Sequence, residues 1–327
     1  MTAASSPTFV QAINDALRAE MAADPNVYVL GEDVAVGGPY GATRDLAEQF
    51  GANRVINTPI SEGSVVGVAI GAALQGLRPV VEVMFLDFIT LAMDQLVNHA
   101  AKLHYMSGGQ LRVPLTIRTA YGVAGAWGAH HSQSLESWLT HVPGLKVVMP
   151  STAAEAGGLL RAAIRDDNPV VFAEHRALYF QTDPPGEAAP ESFELGRARV
   201  RRGGRDITVV ATGRMVGRAL KAANELAGQI EVEVIDPRTL LPLDLDTLAA
   251  SVRKTSRALI VHEAVVPGGI GAELSAQLQA AAFDYLDAPI ERLGAPFAPV
   301  PGAPALEAAY VPDTASIVAA IRRMVPG

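Results

Sequence analysis

Residues 57–83 read NTPISEGSVVGVAIGAALQGLRPVVEV. Pro59 starts a turn that delivers the Glu62 carboxyl to the head of a Gly/Ala-rich helix, Ser64–Leu74. Gly67 and Gly71 give that helix a small-residue face that another backbone can approach closely. Arg78–Val83, rich in β-branched residues, then reads as a strand. The same alternation extends outward. Upstream lie a helix at Phe9–Ala22, with apolar residues at helical spacing and Thr8 as its N-cap, and a strand at Asn26–Leu30. Downstream come a long helix at Thr90–Tyr105, a strand at Pro114–Arg118 and a Gly-rich stretch, Gly122–Gly128. A strand at Leu145–Met149, a helix at Ala153–Arg165 and a strand at Val170–Glu174 follow. Strands alternating with helices predict an open, mainly parallel sheet covered by helices, the α/β class.

The alternation stops between Leu178 and Gly204, where Pro184, Pro185 and Pro190 fall, and then restarts. Strands are expected at Ile207–Ala211, Val232–Ile235, Ala258–Val261 and Ile290–Leu293. Helices are expected at Val216–Ala227, Leu245–Val252, Gly271–Ala282 and Thr314–Met324. This gives a first domain over 1–185, a linker over 186–203 and a second domain over 204–327. The 327-residue length agrees with two domains at about 150 residues each.

Hydrophobic residues make up 49% and charged residues 18% of the chain, which excludes a disordered protein. With 26 Lys+Arg against 34 Asp+Glu the net charge is −8, and a nucleic-acid binder would carry a basic excess. There is no cysteine, hence no disulfide, thiolate metal site or Cys nucleophile. Met1–Pro7 lacks the pattern of a secretory signal, and the apolar stretches Val65–Leu74 and Val80–Phe88 fall short of the roughly 20 residues of a membrane span. The expectation is a soluble, cytoplasmic protein with neither nucleic acid nor membrane as partner.

Two stretches carry candidate chemistry. In Asn57–Gly63, Glu62 can simply complement its helix dipole, or it can be a functional carboxyl at the carboxyl edge of a parallel sheet, where such folds bind ligands. In Gly128-Ala129-His130-His131-Ser132-Gln133-Ser134, the adjacent histidines point apart and are poor joint zinc ligands. No G-x-S-x-G elbow is present to support a hydrolase, so one of these histidines is an acid–base candidate. Residues 163–169 form a helix ending whose free carbonyls could hold a cation. Gly268-Gly269-Ile270-Gly271 reads as a plain strand–helix turn.

In order along the chain stand Gly31-Glu32-Asp33, Asn57–Glu62, Gly76-Leu77-Arg78-Pro79, Asp94-Gln95 and Ala101-Lys102 with Tyr105–Gly109. His131-Ser132-Gln133, Pro143–Val148, Ala163–Val171, Gly213–Val216, Asp236–Thr239 and Pro242–Asp244 follow. With these motifs the chain resembles the beta subunit of the thiamine-diphosphate-dependent 2-oxo acid dehydrogenase decarboxylase component, the pyruvate, acetoin and branched-chain group of the transketolase superfamily. The resemblance runs from about Phe9 to the C-terminus. It implies a transketolase-type pyrimidine-binding domain followed by a transketolase C-terminal-type domain.

It also implies roles by position. Glu62 matches the glutamate that shares a proton with the aminopyrimidine ring of thiamine diphosphate and so favours the ring's imino form. Ile60, Met84 and Phe88 match apolar residues around that ring, although Met84 can equally be ordinary core. His131 matches a histidine that moves protons during reductive acylation of lipoamide. Leu115, Ala163, Ile164, Asp166 and Asn168 match positions that bind a structural potassium ion in some members, a cation that hard oxygen ligands, mostly main-chain carbonyls, would suit. Two departures, Gly63-Ser64 after the glutamate and His130 before His131, bear on substrate shape.

The G-D-G and downstream N-N that hold Mg2+ and diphosphate in this superfamily are missing from the chain. The resemblance therefore implies an alpha subunit carrying that half-site in an alpha2beta2 assembly, and a lipoyl acyltransferase core as acceptor. The implied function is oxidative decarboxylation of a small 2-oxo acid, pyruvate first. The acetoin and branched-chain versions stay open, as does a non-catalytic scaffold.

Overall fold

The computed structural model describes residues 6–184 and 192–325, which fall into two compact units. The first comprises residues up to Tyr121 together with Trp138–Leu195; the second comprises Gly122–Ser137 and Gly196 onward.

In the first unit the strands are β1 (Val27–Gly31), β2 (Val55–Asn57), β3 (Arg78–Phe85), β4 (Thr116–Tyr121), β5 (Lys146–Val148) and β6 (Val170–His175). They lie in the order β5-β6-β4-β3-β1-β2 and every pair is parallel. β1, β4 and β6 are buried along their whole length, as expected of parallel strands covered on both faces. Helix Phe9–Ala23 starts at Thr8, whose hydroxyl and the Gln11 side chain form a reciprocal cap. It packs on helix Ala153–Arg165, and Phe9, Ile13, Leu17 and Met21 share a buried cluster with Leu159, Leu160 and Ile164. Each such side chain stabilises the fold by about 1.5–3 kcal/mol. Glu20, buried in the same helix, is held by Arg161 and Arg165 at 2.8–2.9 Å.

The continuous helix expected over Thr90–Tyr105 is instead a 3-10 segment (Leu86–Ala92), a π segment (Gln95–Ala100) and a short α-helix (Leu103–Met106). Tertiary contact explains the difference. The Leu91 carbonyl stands 3.0 Å from where a Cβ on Gly63 would lie, and the Ala101 carbonyl 2.0 Å from where one on Gly144 would lie. Apolar periodicity does not distinguish the three helix types; these close approaches do.

The second unit holds β7 (Arg199–Arg202), β8 (Ile207–Ala211), β9 (Val232–Asp236), β10 (Thr239–Leu241), β11 (Ala258–Val265) and β12 (Glu291–Ala295). Its sheet runs β12-β11-β8-β9-β7, parallel except for β7 against β9. The helices expected in this half form, as Arg214–Glu225, Leu245–Thr255, Ile270–Ala282 and Thr314–Met324, and Pro304–Tyr310 adds one that the periodicity does not reveal.

The boundaries differ from those read along the sequence. β7 lies inside the stretch expected to be linker, and Pro185 and Pro190 lie outside the described residues. Residues 122–137, expected in the first domain, cluster with the second unit. Among the described residues no helix is long and apolar enough to cross a membrane.

Candidate functional site

The first candidate site is the carboxyl edge of the first unit's sheet. β1 ends at Gly31 and β2 at Asn57. The loop after β2 is pinned where the Thr58 N–H donates to the Gly31 carbonyl (3.0 Å) and the Ala35 N–H to Asn57 Oδ1 (2.8 Å). Glu62 is thereby set at the first turn of helix Glu62–Leu74, and its side chain is buried to 8% exposure. Among the described residues its carboxylate makes no hydrogen bond or ion pair. Burial, and next the charges of Glu62 and Asp33, push the neighbouring Glu32 carboxyl up from its ordinary value. A nearly buried carboxylate without a protein donor is costly unless a ligand supplies one, and a protonated ring nitrogen is such a donor.

Met84, at the end of β3, and Phe88 are half-buried against the first unit's core, and Phe88 meets Phe85 edge-on at 5.8 Å. Ile60 is 80% exposed. Behind the strand ends lies an ion network that the residue patterns did not reveal. Arg118 of β4 is clamped bidentately by Glu174 of β6 (2.8 Å twice) and bonded to Glu82 of β3 (2.6 Å), while the Tyr179 hydroxyl donates to Glu174 (2.8 Å). Burial works against the Arg118 charge, but Glu174 and Glu82 outweigh it and hold the guanidinium above its usual value. Glu82, Arg118 and Glu174 stand on three adjacent strands and Tyr179 on the turn after β6, so the parallel register brings the charges together.

The residues expected to hold potassium all lie around the end of helix Ala153–Arg165. The Leu115 carbonyl accepts from the Val170 N–H (2.8 Å) and that of Ala163 from the Asp166 N–H (3.2 Å). The carbonyls of Ile164 and Asp166 accept from the Arg78 guanidinium at 2.8 and 2.7 Å. The Asn168 amide bonds the Asp166 carboxylate, which also pairs with Lys146. These are hard oxygen donors, each with a second lone pair, but an arginine cation already stands on two of them. Among the described residues no group of three or more His, Asp and Glu side chains is placed to hold a metal ion.

A separate candidate group lies within the second unit. Residues 122–135 form no helix or strand. Gly122, Gly125, Ala126 and Gly128 all adopt positive φ, and the stretch carries His131 half-buried and His130 exposed. The Trp127 ring meets the His131 ring edge-on at 5.9 Å. Glu263, at the end of β11, accepts from the Val123 N–H, the Arg214 guanidinium donates to the Val123 carbonyl (3.1 Å), and Glu307 accepts from the Ala126 N–H (2.6 Å). Glu136 is 1% exposed, and its Oε2 has no hydrogen-bond partner among the described residues. Burial, with the charge of Glu263 adding to it, pushes its carboxyl up to about 7.

Residues 5–181 match the model of the transketolase pyrimidine-binding domain and residues 196–317 that of the transketolase C-terminal domain. This defines the class: a two-domain transketolase-type chain. The chain is 46% identical over 326 residues to the pyruvate dehydrogenase E1 component subunit beta-2, mitochondrial, of Oryza sativa subsp. japonica, covering 98% of this chain and 87% of the relative. It is 44% identical over 324 residues to the acetoin:2,6-dichlorophenolindophenol oxidoreductase subunit beta of Bacillus subtilis (strain 168), covering 94% of each. A solved structure described as a split-gene transketolase, inactive beta4 tetramer, superposes with a TM-score of 0.79 at 25% identity, covering 98% of this chain and 99% of that one. The chain belongs to the family of pyruvate and acetoin dehydrogenase E1 beta subunits, a family of oxidoreductases.

Proposed function

We propose that this chain is the beta subunit of a pyruvate-type E1 component, active together with an alpha subunit. The observation that carries the reading is Glu62: a nearly buried carboxylate, without a protein donor, at the carboxyl edge of a parallel sheet. When bound, thiamine diphosphate supplies the nucleophilic carbon and electron sink for decarboxylation. Glu62 would hold a proton at the pyrimidine ring nitrogen. Ile60, Met84 and Phe88 would wall the ring and exclude water, which strengthens the Glu62 hydrogen bond. Ile60, exposed in this chain, is an apolar side chain that a bound ring or a partner surface would cover.

The diphosphate and its Mg2+ belong in this reading to the alpha subunit, in an alpha2beta2 assembly. His131 moves a proton at the lipoyl sulfur. In the overall change carbon dioxide leaves, the lipoyl S–S bond breaks, one sulfur takes the acyl group and the other takes a proton. An imidazole can both donate and accept a proton, which suits that exchange. Potassium at the Leu115, Ala163, Ile164, Asp166 and Asn168 carbonyls would brace the turn that Arg78 already holds.

Acetoin cleavage is the second reading, favoured by the 44% identity to the acetoin oxidoreductase subunit. The test is co-expression with an alpha partner and a panel of pyruvate, acetoin and branched-chain 2-oxo acids. Turnover is read by dye reduction and by acylation of a lipoyl acceptor. Pyruvate should give the highest kcat/KM, and a preference for acetoin would transfer the assignment to the second reading. No turnover with any of them would point to a scaffold.

A further inference from the structure

His131 sits on a stretch without helix or strand, so backbone hydrogen bonding within a regular element does not fix its place. Ala129 and Ser132–Leu135, on either side of His131 in the chain, help line a cavity of about 330 Å³ together with Glu263–Val265 and Phe297–Val300. Glu263–Val265 are the end of β11, and the second unit's strand order reverses between β11 and β8, the position at which open α/β sheets present functional groups. Among the bonds that hold the stretch, beside that of Arg214 to the Val123 carbonyl, are two to carboxylates from far along the chain. Glu263, 140 residues after Val123, accepts the Val123 N–H; Glu307, 181 residues after Ala126, accepts the Ala126 N–H. Both accept from main-chain groups, so they set the path of the backbone whatever side chains it carries. Bonds from N–H groups to ionised carboxylates are about twice as strong as neutral ones. Glu263 is itself buried to 5% exposure and so holds its bond away from competing water.

We propose that Glu263 and Glu307 are positioning residues for His131. Together they anchor the loop start and the turn before Trp127, and so hold the imidazole at the reach that acyl transfer to the lipoyl sulfur requires. The proposal rests on the reading of His131 as the proton carrier of that step. It predicts that loosening the clamp damages the lipoyl half-reaction more than decarboxylation, which depends on Glu62 in the other unit.

The test uses the complex reconstituted with an alpha partner and a lipoyl acceptor. It compares E263A, E307A and E263Q with H131A, and E263A with the E263A/H131A double variant. E263A is expected to lower the rate of lipoyl acylation by about 10–100-fold, the loss of one hydrogen bond to a charged group, and to lower dye-linked decarboxylation by no more than about threefold. E263Q keeps an acceptor oxygen and should restore most of the loss. E307A, on a partly exposed helix, should give the same pattern in weaker form and serves if E263A does not fold. On an H131A background E263A should add less than about twofold, because both act through one group.

Trp127 gives a readout independent of turnover. The chain has 2 tryptophans, so in a W138F background the emission of Trp127 should shift in E263A and return in E263Q. Equal losses in both half-reactions, an additive loss on H131A, or unchanged Trp127 emission would overturn the proposal. If H131A itself acylates the lipoyl acceptor at near wild-type rate, the reading of His131 falls and takes the proposal with it. That outcome differs from an impaired H131A beside an intact E263A, which overturns the clamp alone.

Discussion

Replacing Glu136 by Gln should change how stability depends on pH. In the folded chain Glu136 keeps its proton up to about pH 7, whereas an exposed glutamate loses it near 4.5. Between those values the folded chain binds more protons than the unfolded one. The contribution is therefore fully present below pH 4.5 and is lost as pH rises through 7. At about 1.4 kcal/mol for each pH unit between the two values, this amounts to about 3 kcal/mol. His262 acts in the opposite sense. It is fully buried, and burial, with the Arg292 charge adding to it, pushes it down to about 4 from 6.5 against a smaller opposing effect of the Ala264 backbone. Its contribution is present above pH 6.5 and is lost as pH falls through 4. Both residues belong to the second unit, so between pH 4.5 and 6.5 their slopes oppose and largely cancel.

Glu136→Gln removes only the falling slope. The variant should match wild type near pH 4 and exceed it by about 3 kcal/mol at pH 8. That corresponds to a melting shift of about 6–10 °C. Between pH 4.5 and 6.5 its stability should rise, unmasking His262. The assay is thermal melting of the full chain by circular dichroism from pH 4 to 8 at constant ionic strength. Parallel curves for wild type and variant would refute the reasoning, since they would mean that Glu136 titrates alike in both states.

Arg118→Met should destabilise the first unit by about 3–5 kcal/mol, because Glu174 and Glu82 are left buried without their cation; chemical denaturation measures this, and lower pH should recover part of the loss. Gly144→Ala should prevent close packing against Ala101, whose carbonyl stands 2.0 Å from the added Cβ, and should lower the melting temperature; an unchanged value would mean that the backbone relaxes freely there. Glu62→Ala should abolish dye-linked turnover of the reconstituted complex by at least about 100-fold, with loss of thiamine diphosphate affinity by calorimetry, and a near wild-type rate would remove Glu62 from the cofactor site.

Much of the architecture is visible in local pattern. Thr8 caps the helix that begins at Phe9, and Ala153–Arg165, Ile207–Ala211 and Thr314–Met324 form with the bounds that their periodicity predicts. Such elements are decided by neighbours three or four positions apart in helices and two apart in strands. The Leu86–Met106 region shows the limit, because carbonyls turned toward Gly63 and Gly144 override an apolar pattern that suits one continuous helix. At the candidate site, Glu62 and His131 stand out through the motifs around them, and the structure separates half-buried His131 from exposed His130. Glu263, Glu307 and the Arg118 network carry no local signature; each acts on a partner 36 to 181 residues away.

The sequence by itself determined the alternating elements, the two-domain α/β class and the family, since these follow from short-range periodicity and ordered motifs. Only the tertiary structure decided that residues 122–137 join the second unit and that two distant carboxylates hold the His131 loop. It also decided that Glu136 keeps a proton near neutral pH. The reason is physical: burial and long-range hydrogen bonds are properties of the neighbours that folding supplies, and the chain order alone does not state who those neighbours are.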